Sequence, residues 1–186
     1  PSIAGEWNML KEPFIHTFKG ISTLKFRMRY GQSGNWGGIS AYTTMDTVQQ
    51  TGIVPVNNTP TVTLGAIRNN NPDLKWETKS TFNIGGEIGL WNNRLMLTAE
   101  YYYSKTTDML YSYDVPVPPF AYDKLLANIG SMSNQGVEIG FSIAPVQTKD
   151  WDLNVSMNLT FQKNKLLSLS GNYNGMNMSA ANITAI

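Results

Sequence analysis

His16 is the single histidine in the chain, and cysteine is absent. A nucleophile activated by imidazole needs a hydroxyl or thiol beside it and an orienting carboxylate behind it, and a zinc site needs several imidazole or thiolate ligands. The sequence offers neither set, so His16 reads as a turn residue, and no metal or cofactor is expected. Glu87, Glu100 and Glu138 are the carboxylates that acid–base chemistry could use. Each stands among Gly, Thr and Asn in a strand-like stretch, the make-up of a polar wall, so polar contact with a neighbouring domain is the expected role. Lys25, Arg27 and Arg29 form an alternating cation row on the same kind of face. Gly85, Gly89, Gly136 and Gly140 recur there too and read as room for a close neighbour; no helix follows them, as a phosphate cradle would require. No residue is expected to do covalent chemistry, and the chain is not expected to be an enzyme.

These residues are positioned by strands. From Thr23 to Gly31, Leu24, Phe26, Met28 and Tyr30 alternate with the three cations, which sends apolar and basic side chains to opposite faces. Phe82, Ile84, Ile88 and Leu90 oppose Lys79, Thr81, Asn83 and Glu87. After the turn Trp91–Arg94, Leu95, Leu97, Ala99, Tyr101 and Tyr103 oppose Met96, Thr98, Glu100, Tyr102 and Ser104. Val137, Ile139, Phe141 and Ile143 follow the same rule, and after a turn at Ala144–Asp150, Trp151 to Phe161 alternate without a break. The apolar faces of these strands carry no Lys, Arg, Asp or Glu. The Asn-X-Ser/Thr matches at Asn154 and Asn158 are products of this alternation, and those at Asn57 and Asn182 fit the glycosylation pattern equally loosely.

A half-buried soluble sheet also alternates. Three features favour a membrane. The strands run to about 10 residues or more, enough to cross a bilayer at a tilt. Short links at Trp91–Arg94 and Ala144–Asp150 contrast with long ones at Gln32–Glu77 and Lys105–Asn128, as in barrels with tight periplasmic turns and elaborate outer loops; Leu10–Ser22 then falls on the periplasmic side. Aromatics gather at strand ends, Trp91 and Trp151 near the short turns, Tyr30, Tyr101, Tyr103 and Phe161 near the other rim, like interfacial girdles. The expected fold is all-β, about six strands of an antiparallel transmembrane β-barrel. The loop aromatics Trp36, Tyr42, Tyr111, Tyr113, Phe120 and Tyr122 could stack on sugars or touch peptide side chains at the outer mouth; the alternative is packing within the loops or against another protein.

A chain of 186 residues with a net charge of +1 gives no reason to expect nucleic acid as a partner. Charged residues make up 15% and aromatics 11%, which suits a protein that meets water on one side and something less polar on the other. Without cysteine, stability must come from packing and hydrogen bonds. The chain opens on Pro1 and ends in an Asn-rich stretch, and it reads as a piece of a longer polypeptide.

Several spaced motifs add a family resemblance: Leu24-Lys25-Phe26-Arg27-Met28-Arg29-Tyr30-Gly31 with Asn71-Pro72-Asp73-Leu74-Lys75-Trp76-Glu77, then Leu90-Trp91-Asn92-Asn93-Arg94-Leu95, Asn128-Ile129-Gly130 and Asn134-Gln135-Gly136-Val137-Glu138. Together with Pro1–Trp7 and Glu12-Pro13-Phe14 they resemble the SusC/RagA-type TonB-dependent transporters of the bacterial outer membrane, from Pro1 to about Leu167. The resemblance implies a barrel of about 22 strands around a plug domain, with residues 1–186 as barrel wall only, the plug and other strands lying outside this segment. It also implies a SusD-like surface lipoprotein over the mouth, TonB acting through the N-terminal region, contact with outer-membrane lipid, and import of glycans or oligopeptides. Lys25, Arg27, Arg29, Glu87, Glu100 and Glu138 would then face the lumen. A passive porin or adhesin barrel and a soluble all-β ligand-binding module are the alternatives.

Overall fold

The computed structural model describes residues 1–13, 20–40 and 42–184. His16 and the middle of the Leu10–Ser22 segment, residues 14–19, lie outside them. The described strands are β1 (Ser2–Asn8), β2 (Ile21–Asn35), β3 (Thr47–Val56), β4 (Thr59–Arg68), β5 (Glu77–Leu90), β6 (Leu95–Asp114), β7 (Lys124–Gln147), β8 (Asp152–Ser168), β9 (Gly171–Tyr173), β10 (Met176–Met178) and β11 (Ile183–Thr184). One sheet runs β1-β2-β5-β6-β7-β8, with β11 added to β6; β3–β4 and β9–β10 are separate two-stranded ribbons. The pairing is antiparallel and the sheet does not close. Five of the six strands of its main path, β2 and β5 to β8, are those whose alternation is visible in the sequence; β1 corresponds to the Pro1–Trp7 stretch that the family resemblance marked.

The turn joining β5 to β6 puts Trp91, Asn92 and Asn93 at φ 52°, 55° and 63°. Two of the three are asparagine, the residue that tolerates this region best after glycine. The turn is anchored from β2, where the Ser22 hydroxyl accepts from the Asn92 amide at 2.7 Å and the Thr23 hydroxyl donates to Asn93 Oδ1 at 2.9 Å. The next turn is tighter than Ala144–Asp150: β7 continues to Gln147, and the Thr148 amide donates to the Trp151 carbonyl at 2.8 Å.

The two long connections are not loops throughout. Strands β6 and β7 extend to 20 and 24 residues, which shortens the Lys105–Asn128 connection to 115–123. Gln32–Glu77 contains the β3–β4 ribbon, twisted by a register shift between Gln50 and Gly52. That shift puts Val48, Ile53, Pro55, Pro60, Val62 and Leu64 on one face of a ribbon whose single charged residue is Arg68 at its end, a pattern that simple alternation hides.

The chain forms two compact units. The first comprises Pro1–Ser33, Lys79–Lys105 and Ser133–Lys165. The second comprises Gly34–Thr78, Thr106–Met132 and Leu166–Ile186 and has a conventional core of Tyr113, Val115, Leu125, Ala127 and Met178, flanked by Tyr111, Phe120, Ile129 and Tyr173. Every buried apolar side chain among the described residues belongs to this second unit. The first unit has its apolar residues on the outside.

Candidate functional site

In the first unit the two sheet faces have opposite chemistry. Pairing of β1 with β2 sets Ile3 opposite Tyr30, Gly5 opposite Met28 and Trp7 opposite Phe26 on one face, and Ala4 opposite Arg29, Glu6 opposite Arg27 and Asn8 opposite Lys25 on the other. The apolar face continues across the sheet through Ile88, Leu97, Tyr101, Val137, Ile139, Leu153, Val155, Met157 and Leu159, all exposed. A groove lined by Leu24, Phe26, Ile88, Leu97, Ala99 and Ile139 runs over it. From Leu95 to the first charge on this face of β6, Lys105, ten steps at about 3.4 Å tilted by about 40° rise roughly 25 Å, the height of a barrel's apolar band.

The opposite face holds Lys25, Arg27 and Arg29, with Glu87 beside Arg27 and with Glu100 and Glu138 lining one depression with it. Lys25 Nζ lies 3.9 Å from Glu6, and Arg27 lies 3.9 Å from Glu87. Such partly exposed pairs contribute about 0–1 kcal/mol each. Asn83 Nδ2 donates to Glu100 Oε1 at 2.9 Å, and a depression of about 390 Å³ is lined by Arg27, Thr98, Glu100, Glu138, Asn158 and Thr160. Arg27 Nε is buried there with no hydrogen-bond partner among the described residues. This arrangement can hold a polar surface by hydrogen bonds and charge. Among the described residues no group of three His, Cys, Asp or Glu could bind a metal.

The close neighbours for which the glycines of this face leave room include side chains and backbone of the adjacent strands. A Cβ at Gly136 would lie 2.7 Å from the Tyr102 hydroxyl and 2.6 Å from the Phe161 carbonyl, and one at Gly140 would collide with Thr98. A tyrosine folded over a glycine of the next strand restores the contact area the glycine lacks.

The six loop aromatics divide. Trp36 and Tyr42 are exposed. Tyr113 is fully buried and its hydroxyl donates to the Leu169 carbonyl at 3.0 Å; Tyr111 and Phe120 pack on the same core, and Tyr122 is half-buried. The outer-loop placement expected for Tyr111 and Tyr113 is corrected, because both sit in β6. Burial pushes the Tyr113 phenol above its ordinary pKa, with Tyr111 adding to the effect; burial and then Asp73 do the same for Tyr173.

Sequence reasoning missed an asparagine lacing in the second unit. Asn69 donates from Nδ2 to the carbonyls of Tyr122 (2.6 Å) and Lys124 (2.9 Å) and accepts from the Tyr122 amide at 3.0 Å. Asn71 donates to Leu126 O at 2.8 Å and accepts from the Asp73 amide and the Tyr173 hydroxyl at 3.0 Å each. Asn128 accepts from the Lys75 amide and donates to the Lys75 and Asp108 carbonyls. A carboxamide carries the same donor and acceptor as a peptide group, so these side chains act as a strand's edge where no strand pairs. Glu77 completes the clasp by accepting from Asn35 Nδ2 and the Leu110 amide, both at 3.0 Å. The quoted Asn71–Glu77 motif is thus a fastener, and the run Asn69-Asn70-Asn71 before a proline was its signal.

Comparison with known proteins gives a consistent answer. Residues 17–184 match the family described as TonB dependent receptor-like, beta-barrel. The chain is 33% identical over 180 residues to TonB-dependent receptor P26 of Formosa agariphila, and 32% identical over 174 residues to TonB-dependent receptor SusC of Bacteroides thetaiotaomicron. Each alignment covers 92% of this chain and 17% of the relative, so the chain spans about one-sixth of their length. Structures of the RagAB peptide importer in its open-open state and of the RagAB peptide transporter are 30% identical, with TM-scores of 0.78 and 0.74. They cover 90% and 89% of this chain, which matches 18% of each of theirs. These relatives are receptors and transporters, not enzymes. With its length matched almost throughout and its two-faced antiparallel sheet in agreement, the chain belongs to the TonB-dependent receptor-like β-barrel family.

Proposed function

We propose that this chain is part of the barrel wall of an outer-membrane importer of the SusC/RagA type. The observation that carries the reading is the bare apolar face of the first unit, uncharged over the height of a bilayer's hydrocarbon core, backed by a hydrogen-bonded polar face. A charged side chain at the bilayer midplane costs about 2–4 kcal/mol, which accounts for the strict segregation. The apolar face meets lipid. The face of Lys25, Arg27, Arg29, Glu87, Glu100 and Glu138 meets the lumen, where the unpartnered Arg27 Nε offers a donor to a plug domain. TonB acts on the part of the protein outside this segment, and a SusD-like lipoprotein covers the mouth. The cargo is an oligopeptide or glycan; the similarity to a peptide importer supports the first. Of the loop aromatics, Trp36 and Tyr42 touch cargo or lid, a reading that their exposure supports.

The test is uptake by cells expressing the parent protein, with and without a functional TonB. Accumulation of fluorescent oligopeptides or glycans that stops when TonB is removed is the expected result. Uptake that continues unchanged without TonB contradicts energy-coupled import and leaves a passive pore.

A further inference from the structure

Asn174-Gly175 is the one Asn-Gly pair in the chain. It forms the loop of the β9–β10 hairpin, whose register sets Tyr173 opposite Met176 and Asn172 opposite Asn177. Both loop residues lie in the left-handed region, at φ 48° and 84°, the conformation that a tight hairpin loop demands of its central pair. Both are exposed. Without a Cβ, Gly175 leaves its own amide nitrogen unshielded, whereas Asn57 and Asn92, also at positive φ in tight turns, are each followed by an asparagine. What holds the pair still is Asn172. Its Oδ1 accepts from the Gly175 amide at 2.9 Å, and its Nδ2 donates to Asn177 Oδ1 at 3.4 Å, so both ends of the carboxamide are used and its orientation is fixed across the hairpin. Asn172 is itself exposed and takes no part in the core of the second unit, so these hydrogen bonds are its contribution.

We propose that Asn174 is a site of spontaneous deamidation, restrained by the hydrogen bond from the Gly175 amide to Asn172. In the reaction the Gly175 nitrogen loses its proton to a solvent base and bonds to Cγ of Asn174; the Cγ–Nδ2 bond breaks and ammonia leaves, closing a cyclic imide. Water then opens the imide. Cleavage of its bond at Cγ leaves aspartate, and cleavage at the main-chain carbonyl leaves isoaspartate. Nothing is oxidised or reduced, and the sum is loss of ammonia and gain of water. While Asn172 holds the amide proton and the hairpin holds the left-handed turn, the nitrogen is not free to attack Cγ. Loss of one such hydrogen bond releases it by about five-fold. The product places a carboxylate, and in the isoaspartyl form an extra backbone carbon, beside Tyr173, whose hydroxyl donates to Asn71 Oδ1 in the fastener of the same unit. The site is independent of the import reading.

The test ages the purified parent protein in mildly alkaline buffer, folded and urea-unfolded. Peptides spanning residue 174 are scored by mass spectrometry for conversion of amide to acid, and by enzymatic methylation for isoaspartate. The expected result is slow conversion at Asn174 in the folded wild type, conversion about five-fold faster in N172A, and the fastest conversion in the unfolded chain. N172D, whose carboxylate accepts the same amide proton, is expected to return to the slow rate. N177A alters the cross-strand pair but keeps the bond from Gly175 to Asn172, and is expected to stay close to the wild type. Equal rates in folded and unfolded wild type overturn the proposal, as does N172A at the wild-type rate or no conversion at Asn174 in any sample. Rates in N172D or N177A equal to that of N172A overturn it too, because a hairpin merely loosened by substitution would then account for the acceleration.

Discussion

Val155 and Ser156 are neighbours on β8, yet they stand on opposite faces of the sheet. Val155 stands on the bare apolar face, whereas the Ser156 hydroxyl hydrogen-bonds Ser142 at 3.0 Å on the polar one. Val155→Arg should destabilise the inserted parent by about 2–4 kcal/mol, and Ser156→Arg by less than about 1 kcal/mol. Reversible urea unfolding in liposomes measures both; equal costs would show that the two faces do not differ. Asn71 makes a separate case, because it is 2% exposed and serves three partners. Asn71→Ala leaves buried groups unpaired and should cost about 1–3 kcal/mol locally. Hydrogen exchange should then speed up at residues 69–77 and 122–128 while β8 stays protected. Such a role is illegible in alternation, since a side chain imitating a backbone has no period.

The strands were legible wherever one face is wholly apolar, as from Trp151 to Phe161. They were illegible where alternation breaks. Thr51 lies inside a register shift, which moves Ile53 and Pro55 onto the face of Val48. Asp108 has a φ of 58°, interrupting β6 before the core residues Leu110 and Tyr113. The sequence there looks like a loop although the backbone stays in the sheet. That second-unit core also gives a pH dependence. The Tyr113 and Tyr173 phenols are raised by burial, so the neutral forms are favoured in the folded state. Their stabilisation is complete below the ordinary phenol pKa of about 10 and declines as pH rises through the higher folded values. Near-ultraviolet circular dichroism should therefore lose second-unit tyrosine signal only above about pH 10, and Tyr113→Phe should move that loss to higher pH.

For the whole molecule, a sheet whose buried apolar residues all lie in one unit, and whose other unit turns its apolar face outward, is incomplete in water. Its edge strands β1 and β8 each have one side unpaired among the described residues. The polar wall was foreseeable from residue types; that Tyr102 and Thr98 occupy the glycine positions was not, because it depends on cross-strand register. The central claim is that hydrocarbon covers the apolar face. Its most direct test is a cysteine scan of β8 from Leu153 to Phe161 in the intact parent, each site carrying a fluorophore, with quenching by brominated lipid in liposomes. Strong quenching at Leu153, Val155, Met157, Leu159 and Phe161, with little at Asn154, Ser156, Asn158 and Thr160, is the predicted result. Uniform quenching, or protection of the odd-numbered positions, would contradict it.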